Sequence, residues 1–272
     1  MKSFYTLLIL LIPFIGFGQN TLLIPSQYTT IQSAIDASSN GDTLKVSSGI
    51  YYENLDFNEK SISLVSDYII DNDTSFINST IIDGANSGRV LNINYNTVTV
   101  IGFTIRNGNH PGGGGIYTTE ANITLSNLNI INNNASDDGG GIHCHASDMV
   151  LQNSKIMLNN AQVFGGGVFI ENCTTQNVHI INSEISNNQS SNDGGGIYIV
   201  NSIVNIDSSI ITENNSSLTG HGGGISIWNN SDVQIEYTLI NRNSSNTGGG
   251  IYVGNSDVFL LYNDISLNNG YN

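Results

Sequence analysis

Gly139-Gly140-Gly141-Ile142-His143-Cys144-His145-Ala146-Ser147-Asp148-Met149-Val150-Leu151-Gln152-Asn153-Ser154-Lys155-Ile156-Met157-Leu158-Asn159 is one of six copies of a single plan. Each copy begins with three glycines and a branched aliphatic, at Gly113, Gly139, Gly165, Gly194, Gly222 and Gly248. These starts are 26, 26, 29, 28 and 26 residues apart. A second marker, Ile-x-x-Asn, keeps the same step at Ile130/Asn133, Ile156/Asn159, Ile185/Asn188, Ile211/Asn214, Ile240/Asn243 and Ile265/Asn268. Two markers in one register at this period mean stacked supersecondary units.

Each unit holds three short strand signals separated by turn residues. One follows the glycines (Ile251-Tyr252-Val253), one alternates (Asp232-Val233-Gln234-Ile235), and one carries the Ile-x-x-Asn (Leu239-Ile240-Asn241). Three strands and three turns make one coil of a parallel β-helix of about 26 residues, with coils about 4.8 Å apart. The glycines then allow sharp turns without a Cβ between coils, and an inward Asn pairs with its own backbone and with the Asn of the next coil. A leucine-rich repeat fits Leu125-x-x-Leu128-x-Ile130-x-x-Asn133 alone, because Ser154, Ser183, Ser209 and Thr238 stand where the second Leu belongs.

Before the repeats, Tyr28 to Ala37 places apolar residues at 31, 34 and 35 behind a Thr, which predicts a short N-capped helix over the open end of the stack. Residues 19–60 read as this cap with the first coil, and 61–272 as the β-helix. Residues 1–18 hold Lys2, an apolar run and Gly16-Phe17-Gly18, a secretory signal peptide with cleavage before Gln19. No later stretch is apolar enough to span a bilayer. The net charge of −15 excludes a phosphate-backbone partner and is compatible with Ca²⁺ or neutral glycans. Export permits a disulfide between Cys144 and Cys173, but their offset between coils predicts instead one core Cys and one loop Cys.

The run from Tyr28-Thr29-Thr30-Ile31-Gln32 to Gly49-Ile50-Tyr51-Tyr52-Glu53-Asn54, with Thr80-Ile81-Ile82-Asp83-Gly84 and Gly102-Phe103-Thr104-Ile105-Arg106-Asn107-Gly108, resembles secreted bacterial proteins of the pectin-lyase-like superfamily. The alternation of Ile-x-x-Asn with Gly-Gly-Gly-Ile is similar to the repeats of polymorphic outer-membrane proteins, which usually carry Phe in place of the Ile. The resemblance implies an all-β, right-handed, single-stranded parallel β-helix, secreted or on the surface or outer membrane of a Gram-negative bacterium. That scaffold hosts lyases, hydrolases and adhesins. Only four residues follow Asn268, where another glycine triplet is due, so the chain is expected to be truncated relative to a longer surface protein.

Catalysis on such a scaffold needs carboxylates beside a basic residue in register. Arg89, Arg106, Lys155 and Arg242 do not meet an acidic cluster, so no catalytic residue is assigned. Asp137-Asp138 and Gly220-His221-Gly222 match fragments of polygalacturonase-type motifs but are ordinary turn residues before glycine triplets. The residue after each inward aliphatic points out, giving a column Tyr117, His143, Phe169, Tyr198, Ser226 and Tyr252, with Trp228 two residues beyond Ser226. Stacked aromatics would offer a flat strip for a polysaccharide or a cell-surface partner; they would equally serve as packing between strands. His143 and His145 share the outer face, with Glu171 one coil on, a set able to hold a transition metal, although a solvated His pair is commoner. Asp148, Asp232 and Asp257 lack the spacing of repeat-toxin Ca²⁺ sites. The favoured expectation is a non-enzymatic exported protein for adhesion or polysaccharide binding; the alternative is a polysaccharide lyase or glycoside hydrolase.

Overall fold

The computed structural model describes residues 19–271 apart from Gln176, so the expected signal peptide lies outside the described residues. The alternating strands stack into a right-handed parallel β-helix in which the strands pair in parallel, each coil with the next. A ten-stranded sheet runs from Thr21–Ile24 to Asp257–Leu261, a nine-stranded sheet from Gly49–Tyr52 to Asp264–Ser266, and an eight-stranded sheet from Leu55–Asp56 to Ile251–Gly254. One coil visits them in turn: Ile142–His145 in the eight-stranded sheet, Asp148–Gln152 in the ten-stranded, Lys155–Met157 in the nine-stranded. A further short pairing, Asn134–Ala135 with Asn160–Ala161 and Gln189–Ser190, follows the Asn column and was not visible as a strand in the sequence.

The register places like residues over like. Ile116, Ile142, Val168, Ile197 and Ile225 form one fully buried column, and Ile130, Ile156, Ile185, Ile211 and Ile240 another. Each such side chain adds about 1.5–3 kcal/mol of burial. On the last coil, Val253, Leu260 and Ile265 stand in register with the buried Ile227, Ile235 and Ile240 but are exposed, because no described coil covers them.

The corners are held by polar ladders. Asn133, Asn159, Asn188, Asn214 and Asn243 each donate a side-chain N–H to the Oδ1 of the next Asn at 3.0–3.1 Å, the last acceptor being Asn268. The residues that break the leucine-rich pattern build a second ladder: the Ser154, Ser183 and Ser209 hydroxyls and the Thr238 hydroxyl each accept a backbone N–H from the coil before. The three glycines of a triplet do different work. Gly139 needs its φ of +68°, a region costly for a residue with a Cβ. A Cβ on Gly140 would meet the Gly166 carbonyl oxygen, and one on Gly141 would meet Gly167 O, so those two are glycine because the coils touch there.

The capping helix spans Ile31–Ala37, with Thr30 as its N-cap and Ile31, Ala34 and Ile35 buried, as the pattern predicts. The first coil clamps both of its ends. The Glu53 carboxylate accepts the Ile31 and Gln32 N–H groups, both at 2.9 Å, and Lys60 Nζ donates to the carbonyls of Ile35, Asp36 and Ser38 at 2.7, 2.7 and 2.9 Å. Two short helices the sequence did not announce, Tyr68–Asp71 and Ser75–Ser79, widen one early corner. Among the described residues, no helix is long and apolar enough to cross a membrane.

Candidate functional site

The outer face of the eight-stranded sheet carries two side-chain columns fixed by register. The first reads Asp56, Asn92, Tyr117, His143, Phe169, Tyr198, Ser226 and Tyr252; the second includes Thr119, His145, Glu171, Val200, Trp228 and Gly254. The expected column is therefore real. Its expected exposure is not: His143, Phe169, Tyr198 and Ser226 are buried. The cause lies in the glycine corner. The positive φ of the first glycine folds the preceding loop back over the sheet, so that a Cβ on Gly139 would stand 2.7 Å from the His143 Cβ, and one on Gly194 2.7 Å from the Tyr198 Cβ. Phe164, from such a loop, stacks on Tyr198 at 4.5 Å.

Tyr117, Trp228 and Tyr252 remain partly open. The Arg89 guanidinium lies 4.2 Å above the Tyr117 ring and also meets His110 Nδ1 at 2.9 Å. Burial, then the charge of Arg89, lowers the His110 pKa, so its imidazole stays neutral. At the other end, Trp228, Tyr252 and His221 form one ring group, with centroids 5.0 Å (Trp228–Tyr252), 4.4 Å (His221–Tyr252) and 5.7 Å (His221–Trp228) apart. The indole bends back to donate its N–H to Ser226 Oγ at 3.0 Å and lies flat where Gly254 leaves room. His221 is oriented by Asp193 Oδ1, 3.1 Å from its Nδ1.

Between these ends, His143 and His145 point from one strand at the same carboxylate. Glu171 Oε1 is 2.9 Å from His143 Nε2 and 3.0 Å from His145 Nδ1, and the three ligand atoms lie within 4.8 Å of one another. The hydrogen bond from His143 is the main reason the Glu171 pKa falls below its usual value. The His143 ring is fixed edge-on between Tyr117 at 5.1 Å and Phe169 at 4.7 Å, and its Nδ1 is buried without a partner. Asp138, on the loop above, is pushed up to about 6 by burial and by Asp137. Asp148, in the column considered for Ca²⁺, accepts the Asn177 N–H through its carboxylate, an ordinary strand-start role.

The cysteines depart from expectation. Cys173 does lie in a turn between two strands, but it is wholly buried there, replacing serine in a corner column with Ser147, Ser202 and Ser231. The turn after Glu171 swings it inward, so its Sγ sits 3.9 Å from that of Cys144. That contact and burial push the Cys144 thiol up. The steps of 26 and 29 residues from Ser147 through Cys173 to Ser202 were the sequence signal for this placement. The bases are spent singly: Arg106 pairs with Asp83 at 2.7 Å and Lys155 with Glu184 at 3.8 Å, both in register across the nine-stranded sheet.

With this geometry in view, a carrot protein titled "Pectin methylesterase from Carrot" superposes with a TM-score of 0.51, 13% identity, and coverage of 90% of this chain and 83% of that one. The chain has the pectin-lyase-like fold. Residues 182–200 match the Chlamydia polymorphic membrane protein repeat, the stretch that carries Ile185-x-x-Asn188 and the fourth glycine triplet. No curated protein matches the chain. At 13% identity the carrot enzyme speaks for the fold and not for the activity.

Proposed function

We propose that this chain is an exported, non-enzymatic surface β-helix that binds a polysaccharide or a cell-surface partner along its eight-stranded face, at the outer surface of a Gram-negative bacterium. The observation that carries this reading is the partly open ring group Trp228–Tyr252–His221, held rigid by Ser226, Gly254 and Asp193. Fixed aromatic faces bind the apolar faces of sugars and of partner side chains with little loss of conformational freedom. Tyr117 with Arg89 offers a second contact five coils away, about 24 Å along the axis at the usual spacing. A chain-like ligand lying along the stack reaches both. The polymorphic membrane protein repeat at 182–200 supports the surface setting.

A glycan-array screen of the purified chain, with and without Ca²⁺, tests the reading. Trp228→Ala and Tyr252→Ser are expected to weaken binding at least about tenfold with the circular dichroism spectrum intact. Binding unchanged in both variants would sink the ring-group reading. Phe169→Ser and Tyr198→Ser are unsuitable probes, because these rings are packed under loops. A second reading, lyase or hydrolase, draws on one observation: Asp138 is shifted up and Glu171 down, both close to His143. Carboxylates driven apart in pKa are the usual acid/base pair. Unsaturated or reducing-end products released from acidic glycans by the same preparation would favour that reading.

A further inference from the structure

We propose that His143, His145 and Glu171 form a binding site for a divalent transition metal of the zinc type, bridging two successive coils. Strand alternation puts both imidazoles on one outer face, and the register sets Glu171 directly opposite His145. Three side chains from two coils thus converge without a loop rearrangement. Their donor atoms are already gathered: one carboxylate oxygen lies 2.9 and 3.0 Å from the two imidazole nitrogens. A tetrahedral ion with bonds of about 2.0–2.2 Å needs donors about 3.4 Å apart, so Glu171 backs away by about 0.4–0.5 Å and the more exposed His145 ring turns to bring its Nδ1, now within 4.8 Å of His143 Nε2, to that spacing.

The ligand chemistry and the surroundings select the ion. Two imidazoles and one carboxylate suit Zn²⁺, Cu²⁺ or Ni²⁺, whereas Ca²⁺ and Mg²⁺ require an oxygen cage that is absent among the described residues here. The His143 side chain is 10% exposed and wedged between Tyr117 and Phe169, so Nε2 is presented in a fixed direction. His145 and Glu171 are 34% and 27% exposed, which leaves an outward fourth position for water. Metal on Nε2 moves the His143 proton to Nδ1, where no acceptor waits. Strong sites supply that acceptor, so this site holds its ion about 10–100-fold more weakly than one with that second bond. The net charge of −15 favours cation capture. The site is independent of the ring group proposed above.

Titration calorimetry with zinc chloride on the tag-free, chelator-stripped chain tests the proposal, alongside thermal melts. The expected result is about one saturable zinc per chain, a raised Tm, and proton release that depends on pH. His145→Ala and Glu171→Gln should each weaken zinc roughly 100-fold while keeping the circular dichroism of the parent. His179→Ala, on the ten-stranded sheet and remote from the trio, should leave zinc binding unchanged. No saturable binding up to about 1 mM zinc, or equal binding in the His145 and Glu171 variants, overturns the site. If a variant loses its fold, the cobalt(II)-loaded parent decides: intense visible bands signify a four-coordinate site, and pale six-coordinate cobalt overturns it.

Discussion

Asn214 makes four side-chain hydrogen bonds, all inside the protein. Its Oδ1 accepts from the Asn188 backbone N–H and from Asn188 Nδ2, and its own Nδ2 donates to Ile185 O and Asn243 Oδ1. Asn214→Ala strands two buried donors in Asn188 at once, so a loss on the order of 3 kcal/mol is expected in urea unfolding followed by circular dichroism. A loss below about 0.5 kcal/mol would show that water replaces the ladder. Asp138 makes a pH prediction. Its folded pKa of about 6 exceeds the ordinary 3.8, so the folded state holds the proton more tightly and stability falls as pH rises through that window. The groups bearing on it are Asp137, His143 and Glu171. Asp138→Asn keeps an oxygen for the Phe164 N–H and is expected to add about 1 kcal/mol at pH 7.5, after solvent screening of a partly open carboxylate. The gain should vanish near pH 4; a pH-independent gain would contradict the account. At this scale the Asn column was legible, because buried amides need partners at a fixed period. The glycine triplet was legible only in part: its composition shows, but which of the three answers φ and which answers contact between coils depends on how the coils meet.

The capping helix shows what an element owes to its neighbours. Seven residues are too few to hold a helix in water, and here Glu53 and Lys60 from the first coil satisfy its two ends. Lys60→Met removes three charge-assisted bonds at the helix C-terminus and should cost about 2 kcal/mol, with a Tm lower by several degrees. Amide exchange should rise first in Ile31–Ala37; equal protection in both proteins would show that burial of Ile31 and Ile35 suffices. The helix itself was readable from Thr30 and the spacing of 31, 34 and 35. Its clamps were not, since Lys60 carries no local pattern that ties it to residue 35. The loops before the glycine triplets escaped the sequence reading for a similar reason. Ser-rich and variable in length, they give no periodic signal, yet they decide that Phe169 and Tyr198 lie under cover while Trp228 stays partly open. The convergence of His143, His145 and Glu171 was readable, because alternation and coil register alone bring these side chains together.

For the whole molecule, each coil meets only the coils on either side, so stability adds up along one dimension. Gly194 and Gly222 occupy equivalent corners 28 residues apart, and excising 194–221 joins Asp193 to Gly222 with every column still in register. The shortened chain is expected to fold, with a cooperative melt and a moderately lower Tm. Deleting Val204 alone, inside the strand Ile203–Asp207, instead shifts the residues after it by one, turns their apolar side outward, and should prevent folding. Folding of both, or of neither, would contradict the stack as described. The hydrogen bonds of all three sheets run along the axis, and this gives the molecule a mechanical direction. A load drawn along the axis meets one coil's bonds at a time, so the stack yields in equal steps. Each released coil of 26 residues lengthens the chain by about 85 Å, while those still stacked stay closed. A load applied across the axis is shared by every coil at once. Such a body extends under axial load in repeated small failures and resists sideways shear.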